Sequence, residues 1–422
     1  MAFEIVPQKL TYGGDALGYH QGRPVFVPRV LPGERAEVEE LRVAKGVVHA
    51  RPLRILEASP ERVEPPCPYY GRCGGCHYQH LAADRQASVK SEILRETLRR
   101  IGKIVWEQPL PIHAAQPWNY RNQVQFKVAR MPGGADIGFF EAYSHRVLPV
   151  DECLLLSPLL NELLHVFRGD QWAKRLTDSS EIELFADDRD ERAAIVLRGS
   201  LKTGADEALA REILDTVPGV ASVAVEMSGN LQVFGEPHLT YSVGDFRYRV
   251  SPGSFFQVSR FLLPELVTAV TENESGKLAL DLFAGVGLFS LPLAGRFEQV
   301  IAVEAAPGAT QDLAATAHAH SLTNVRPVTA TAHDFLRRFA QTGAELVVLD
   351  PPRAGVGPAA LRILSDLAPR RIHYVSCSPP TLARDLGLLS ARGFELKAVE
   401  LFDLFPQTYH VEALARLTRQ GG

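Results

Sequence analysis

From residue 251 onward, short apolar runs alternate with amphipathic stretches that have the period of a helix. The runs at 278–281, 299–304 and 346–350 are predicted to be buried strands, and the stretches between them helices. Strands that alternate with helices at this spacing are typical of a doubly wound, mostly parallel sheet. The pattern therefore predicts an α/β domain over residues 251–422.

Residues 1–60 have a different pattern. Short alternating runs are separated by glycines, among them the pair Gly13-Gly14 and the step Pro32-Gly33. Strands this short, with turns this frequent, fit a closed five-stranded barrel of the oligonucleotide-binding (OB) type. A barrel that binds no ligand is the alternative.

Residues 61–250 are predicted to form a central α/β domain without a motif that indicates chemistry. The strand-like runs are 120–128, 181–185, 193–197 and 221–225, and the helix-like runs are 158–167 and 205–216. A further helix is predicted over 81–102, with an apolar stripe on one face and Lys90 among the basic residues on the other. That basic face is either an ordinary solvated surface or a surface that binds phosphates.

Length, composition and charge limit the classes of protein. A chain of 422 residues is too long for one core, and its 46% apolar content is ordinary for a globular protein. The net charge of −4 excludes a globally basic nucleic-acid binder but not a local basic patch. The first residues do not resemble a signal peptide, and no apolar run is long enough to span a bilayer. We therefore expect a cytoplasmic protein without a membrane partner.

Cys377 follows a predicted strand at 372–375 and precedes a predicted helix. Ser378 is placed as the helix cap and Pro379 at the first helical position, with the helix extending to about residue 389. The thiol is therefore expected at the carboxyl edge of the sheet, beside a helix amino terminus whose partial charge favours thiolate. An inert structural cysteine is the alternative, but α/β enzymes bind their ligands at this edge, which favours a nucleophile.

The strand ends of the same domain carry further candidate groups. The segment from Asp281 to Gly287 follows one strand, and Glu304 ends the next, an arrangement that fits a nucleoside and suits S-adenosylmethionine better than NAD. Asp350 ends another strand before two prolines and is either a solvated turn residue or a ligand for substrate or cofactor. Glu412 begins the last strand and is either solvated or an acid–base group.

The other cysteines form a second candidate site. Cys67, Cys73 and Cys76 lie within ten residues, and Cys153 lies far from them in sequence. Disulfides are rare in a reducing compartment, so this cluster predicts a metal site.

Five motifs, in this order, resemble those of the RNA 5-methyluridine methyltransferases, in particular the iron–sulfur branch that acts on 23S rRNA. They are Phe255-Phe-Gln257-Val, Asp281-Leu-Phe-Ala-Gly-Val-Gly, Asp350-Pro-Pro-Arg, Ser376-Cys377-Ser-Pro and His410-Val-Glu412. The resemblance implies a class I, Rossmann-like methyltransferase sheet after the central domain, and it makes the amino-terminal barrel a TRAM domain. It departs at Ala284, Leu288 and Ser378, where the family usually has other residues.

The resemblance also implies a reaction and its residues. Cys377 would attack C6 of a uridine, C5 would take the methyl group of S-adenosylmethionine, and Glu412 would remove the C5 proton. Gln257, Phe283, Glu304 and Asp350 would contact the cofactor. The uridine would have to leave its stack to reach the thiol.

For the remaining cysteines the resemblance implies a [4Fe–4S] cluster held by Cys67, Cys73, Cys76 and Cys153. Zinc bound by the first three and by His77 or His80 is the alternative. The expected partner is RNA, with 23S rRNA favoured by the barrel and the cluster and tRNA as the alternative, and the enzyme is expected to be a monomer. The competing functions are a cytosine-C5 or amino-group methyltransferase and a non-catalytic RNA-binding protein.

Overall fold

The structure of the chain is a computed structural model that describes residues 1–199, 205–227, 229–339 and 343–420. Within these ranges, no helix combines the length and the apolar character that crossing a bilayer requires.

The amino-terminal region is a curled sheet of six strands, one more than predicted. The strands are β1 (Ala2–Ile5), β2 (Lys9–Leu10), β3 (Asp15–His20), β4 (Arg23–Pro28), β5 (Arg35–Ala44) and β6 (Val47–Glu57), in the spatial order β1-β5-β6-β4-β3-β2. The register of β5 on β6 shifts at three points, and such bulges bend a sheet. The module is barrel-like, although its outer strands β1 and β2 are not hydrogen-bonded to each other.

The central region contains a second, mostly antiparallel sheet. It begins with α1 (Ala83–Thr97), a π-helical turn (Leu98–Gly102), β7 (Ile112–His113), β8 (Gln123–Met131), β9 (Gly134–Phe140), β10 (Val147–Pro149), α2 (Pro158–Arg168) and α3 (Asp170–Arg175). It continues with β11 (Ser179–Ala186), β12 (Ala193–Gly199), α4 (Ala205–Thr216), β13 (Val220–Met227), β14 (Asn230–Gly235), β15 (Leu239–Val243) and β16 (Phe246–Val250). The order β10-β9-β8-β11-β12-β13-β14 makes a seven-stranded sheet, on which buried leucines of α2 pack.

The carboxyl-terminal region is the predicted Rossmann-like sheet. Its elements are α5 (Leu263–Thr271), β17 (Gly276–Leu282), α6 (Ser290–Ala294), β18 (Phe297–Glu304), α7 (Pro307–Ala319), β19 (Val325–Thr329), α8 (Ala332–Arg338), β20 (Leu346–Leu349), α9 (Pro358–Asp366), β21 (Arg371–Ser376), α10 (Pro379–Ser390), β22 (Phe394–Phe402) and β23 (Glu412–Arg419). The order is β19-β18-β17-β20-β21-β23-β22-β7, with β17 to β21 parallel and β23 antiparallel to both of its neighbours. Apolar cores cover both faces, so the predicted fold class is confirmed.

Helix α1 corrects one prediction about charge. Leu94 and Leu98 are buried in the core of the carboxyl-terminal sheet, as the apolar stripe predicts. Lys90, expected on the basic face, is instead fully buried and forms an ion pair with Asp403, with 2.6 Å between Lys90 Nζ and an Asp403 oxygen. Lys90 is therefore not available to bind phosphate.

Candidate active site

Cys377 lies at the carboxyl edge of the sheet, between the end of β21 at Ser376 and the start of α10 at Pro379. Proline is favourable at the first helical position because the N–H that it lacks has no partner in a helix. Ser378 occupies the cap position as predicted, but its hydroxyl makes no capping hydrogen bond. The Cys377 thiol is partly buried and free of any disulfide.

Glu412 lies beside Cys377 because of the register between β21 and β23. Ser376 pairs with Ala413 in this antiparallel ladder, which places the next residues of the two strands, Cys377 and Glu412, side by side. The Glu412 side chain is buried, and its Oε1 has no hydrogen-bond partner. Burial, reinforced by the charge of Asp350, raises the pKa of Glu412 well above its usual value.

Asp350 follows β20 and completes a group of three ionisable side chains. The Gln257 amide donates a hydrogen bond to it at 3.2 Å. Burial, together with the charge of Asp281, raises the pKa of Asp350 to about 7. Because the pKa values of Asp350 and Glu412 are both raised, the two carboxyls hold at least one proton between them below pH 7.

The electrostatic environment of Cys377 differs from the expected one. Burial, together with the charges of Glu412 and Asp350, raises the pKa of the Cys377 thiol to about 12 against the opposing effect of Arg353. The resting side chain is therefore a thiol at neutral pH. The helix terminus is expected to favour thiolate, but desolvation and two nearby acids act in the opposite direction and leave the pKa of the resting thiol raised.

The loop after β17 forms the second half of the site. Asp281 is fully buried and accepts a hydrogen bond from the Ser290 hydroxyl, and burial raises its pKa to about 7. Glu304, at the end of β18, accepts hydrogen bonds from Gly285 N at 3.0 Å and Ala306 N at 2.7 Å. Phe283 has a φ of +70°, an uncommon conformation for a residue other than glycine, which turns the chain sharply at the strand end.

These groups fit S-adenosylmethionine. The buried Oδ1 of Asp281 has no hydrogen-bond partner. The carboxylate of Glu304 has lone pairs left beyond its two backbone donors, and ribose hydroxyls are donors that such an oxygen can accept. A side chain at Gly285 would meet no atom within 4 Å, so the loop leaves open space there. Asp350, Phe283 and Glu304 thus lie at the ends of neighbouring strands, and Gln257 contacts the first of them.

Tyr12, which the sequence did not indicate, lies near Cys377 and belongs to a cluster of four aromatic rings. Tyr12, in the turn between β2 and β3, packs edge-on against Tyr409 with 5.3 Å between ring centroids, and the Tyr409 ring contacts those of His77 and His410. Arg353 Nη2 lies 3.3 Å from His410 Nε2, and burial lowers the pKa of His410 to about 3, so its ring is neutral. No sequence signal identifies Tyr12, because it belongs to a different domain and to no motif.

The four remaining cysteines come together around one cavity of about 380 Å³, as predicted; they are Cys67, Cys73, Cys76 and Cys153. Burial, together with the charges of the neighbouring cysteines, raises the pKa of the Cys153 thiol to about 11. Four thiols that line one cavity, three from one segment and the fourth from a distant one, are a donor set that fits an iron–sulfur cluster.

The zinc alternative lacks its histidine ligand. Neither His77 nor His80 lines the cavity: His80 Nδ1 is 2.6 Å from the Tyr70 hydroxyl, and His77 packs against Tyr409. Among the residues that the structure describes, no three His, Cys, Asp or Glu side chains are grouped tightly enough to hold a single metal ion.

Comparison with known proteins identifies the family. A family model described as tRNA (Uracil-5-)-methyltransferase matches residues 234–420. An RNA methyltransferase of Aquifex aeolicus is 36% identical over 98% of each chain. The 23S rRNA (uracil(1939)-C(5))-methyltransferase RlmD of Alkalilimnicola ehrlichii is 34% identical, over 99% of this chain and 97% of that one. The chain belongs to the RNA uracil-C5 methyltransferases.

A member of this family transfers a methyl group from S-adenosylmethionine to C5 of an RNA uracil, which separates the chain from the cytosine-C5 and amino-group enzymes. The chain shares its fold with the tRNA (uracil-54, C5)-methyltransferase of Pyrococcus abyssi, which was solved in complex with S-adenosyl-L-homocysteine. The TM-score is 0.74 and the identity 23%, and the match covers 99% of this chain and 100% of that one.

Proposed function

We propose that this RNA uracil-C5 methyltransferase modifies 23S rRNA, with Cys377 as the nucleophile and Glu412 as the base. The observation that carries the catalytic assignment is the register of β21 and β23, which places a thiol beside a buried carboxyl at the carboxyl edge of the sheet. The relative named as a 23S rRNA enzyme, matched along nearly the whole chain, supports this substrate. In this proposal the enzyme acts in the cytoplasm as a monomer, with domains over 1–60, 61–250 and 251–422.

In the first step the Cys377 thiol loses its proton to solvent, and its sulfur attacks C6 of the uracil, which forms an S–C6 bond and moves an electron pair towards C5 and O4. Arg353 favours the thiolate that this attack requires, whereas ionised Glu412 and Asp350 oppose it. A proton shared by these two acids reduces that opposition. The resting protonation of the acids is therefore suited to the first step.

S-adenosylmethionine, when bound, supplies the methyl group that the electron-rich C5 accepts. The residues that would hold it are Gln257, Phe283, Glu304 and Asp350. After methyl transfer, the covalent adduct carries both a hydrogen and a methyl group on C5. Glu412 then removes the hydrogen as a proton, the electron pair forms the C5–C6 double bond, and the S–C6 bond breaks to release the Cys377 thiolate. Because the sulfur has no charge while bonded to C6, it does not oppose the ionisation of Glu412 that this step requires.

We further propose that Cys67, Cys73, Cys76 and Cys153 hold a [4Fe–4S] cluster with a structural role. The convergence of the four thiols on one cavity supports this assignment. A cluster spreads its thiolates around a core of iron and sulfide, so its ligands lie farther apart than those of one ion. The absence of a tight single-ion group among the described residues is therefore consistent with the cluster and unfavourable to zinc.

The substrate is tested with unmodified transcripts of 23S rRNA and of tRNA, each given to the enzyme with isotopically labelled S-adenosylmethionine. Mass spectrometry of the digested RNA should locate labelled 5-methyluridine in the 23S transcript and not in tRNA. Label in tRNA alone would replace the rRNA assignment with the alternative. The Cys377→Ala variant should leave both RNAs unmodified, and methylation by this variant would contradict the covalent mechanism.

A further inference from the structure

Much of the segment that leads into Glu412 is hydrogen-bonded to residues 77–120, which lie outside the methyltransferase domain. We call residues 403–411, between β22 and β23, the base loop. Its buried residue Gln407 has a φ of +67°, a conformation that costs free energy for a residue with a side chain. Such a conformation persists only where the surroundings hold it, so the contacts of Gln407 identify what positions the loop.

Gln407 has a hydrogen-bond partner on each of its backbone groups and on its side chain. Its carbonyl oxygen accepts from His77 N at 2.8 Å and from Tyr78 N at 3.0 Å. Its backbone N–H donates to Gln86 Oε1 at 2.7 Å, and its side-chain oxygen accepts from Gln86 Nε2 at 2.9 Å. The Gln86 amide, fully buried in α1, also donates to the carbonyls of Tyr78 and Leu81. We call this pair of glutamines the amide clamp.

The rest of the base loop is held by the same part of the chain. Lys90, one turn beyond Gln86 in α1, binds Asp403 and donates to the carbonyl of Phe405 at 2.9 Å. The Tyr120 hydroxyl donates to the carbonyl of Pro406 at 3.1 Å. The contacts of Lys90 with Asp403 and of Tyr120 with Pro406 are buried, where an unmade hydrogen bond is costly.

Glu412 depends on this support because its own side chain has little. Its buried Oε1 has no hydrogen-bond partner, so the direction of the carboxyl is set by the backbone at the start of β23. We propose that Gln86 is a positioning residue for the reaction: through Gln407 it fixes the base loop and thereby the distance of Glu412 from the substrate C5. This inference rests on the proposed role of Glu412 as the base.

The clamp also connects the cysteine site to the base. His77 and Tyr78, which hold the Gln407 carbonyl, directly follow Cys76 in the chain. Any group that orders Cys76 therefore also orders one side of the clamp. The clamp assigns to this part of the central domain a role in the second half of the reaction, after methyl transfer.

The test uses the step in which the base acts. If Glu412 is misplaced, the methylated RNA remains bonded to Cys377, and a labelled protein–RNA adduct survives denaturing electrophoresis. The full-length protein is incubated with an unmodified 23S rRNA transcript and methyl-labelled S-adenosylmethionine. Gln86→Met, which keeps the length of the side chain but not its amide, should accumulate adduct and lower turnover about tenfold, since small misplacements of a reacting group cost factors of this order.

Two further variants complete the design. Gln407→Gly relieves the positive φ and keeps the backbone contacts while removing the side-chain half of the clamp, so a folded variant with more adduct is expected. Asn324→Ala is the matched control. It removes an amide that donates hydrogen bonds to the backbone carbonyls of Ala294 and Phe297, remote from the base loop. It should show no more adduct than the unaltered enzyme.

Glu412→Gln separates the two ideas under test. Adduct in Glu412→Gln but none above the Asn324→Ala level in either clamp variant would overturn the positioning role and leave the base intact. No adduct in Glu412→Gln would overturn the proposed base, and the positioning role with it. Adduct in Glu412→Gln and in both clamp variants, with S-adenosylmethionine affinity unchanged, supports both.

Discussion

At the scale of single residues, the site contains ionisable side chains that are buried from solvent. Asp281, Asp350 and Glu412 are all buried carboxyls with raised pKa values, and Cys377 beside them is a thiol with a raised pKa. Such groups destabilise a folded protein unless a ligand or a proton neutralises them. Two predictions at this scale use that cost.

The first concerns the pH dependence of the reaction. Because the pKa of Cys377 is about 12, the thiolate fraction increases with pH throughout the neutral range. We expect kcat/KM, which reports the free enzyme, to rise from pH 6.5 to 8.5 without a plateau. Single-turnover methylation of a 23S transcript measures it. A plateau near pH 7 would show that the free enzyme already holds a thiolate.

The second concerns Asp281, the buried acid at the end of β17. Its folded pKa of about 7 exceeds the ordinary value of 3.8, so the folded state binds more protons than the unfolded state between these pH values. Stability is therefore highest at acidic pH and is lost as pH rises through 7. Asp281→Asn should remove this loss and raise the free energy of unfolding by about 4 kcal/mol at pH 8 relative to pH 4.

Urea denaturation of both proteins at the two pH values measures that difference. The same substitution should weaken S-adenosylmethionine binding, since it removes a charge from the donor site. An equal effect on stability at both pH values would mean that Asp281 is ionised in the folded protein at low pH as well.

At the scale of elements, the cysteine site provides a prediction about metal content. Protein purified without oxygen should contain about four irons and four sulfides per chain, the content of one cluster. Cys76→Ser should lose the iron and lower the free energy of unfolding, because metal binding stabilises only the folded state. Cys377→Ser, a cysteine outside the cavity, is the matched control and should keep the iron. One zinc without iron would contradict the cluster.

Elements were predictable from sequence wherever the signal is local. Helix α10 begins at Pro379 as predicted, because Pro379 acts on its own backbone, and α4 has the predicted bounds because its apolar period lies within it. Lys90 was wrongly predicted to lie on an exposed face. Its partner, Asp403, is distant in sequence, and the sequence pattern does not show that a basic residue on a helix is buried. The raised pKa of Cys377 could not be predicted for the same reason: the acids that raise it come from β20 and β23, which are distant in sequence from each other.

At the scale of the whole molecule, the amino-terminal module contacts the loop that leads into Glu412. Its Gly14 packs against His77 so closely that a Cβ there would lie 3.0 Å from His77 Cβ. The neighbouring Tyr12 stands against Tyr409, and burial beside Tyr409 and Cys377 raises the pKa of the Tyr12 hydroxyl. The turn between β2 and β3 therefore packs against the base loop between β22 and β23.

This arrangement predicts that Tyr12 acts on the RNA step alone. Aromatic side chains bind nucleobases by stacking worth about 1–3 kcal/mol, so Tyr12→Ala should lower kcat/KM for a 23S transcript about tenfold or more. Tyr12→Phe should retain most of the activity, and the affinity for S-adenosylmethionine should not change in either variant. Tyr19→Ala alters an exposed tyrosine of β3, the strand that follows Tyr12, and is the control. Equal losses in Tyr12→Ala and Tyr19→Ala would mean that the module contributes only a general RNA-binding surface, whereas a loss confined to Tyr12→Ala makes the module part of the active site.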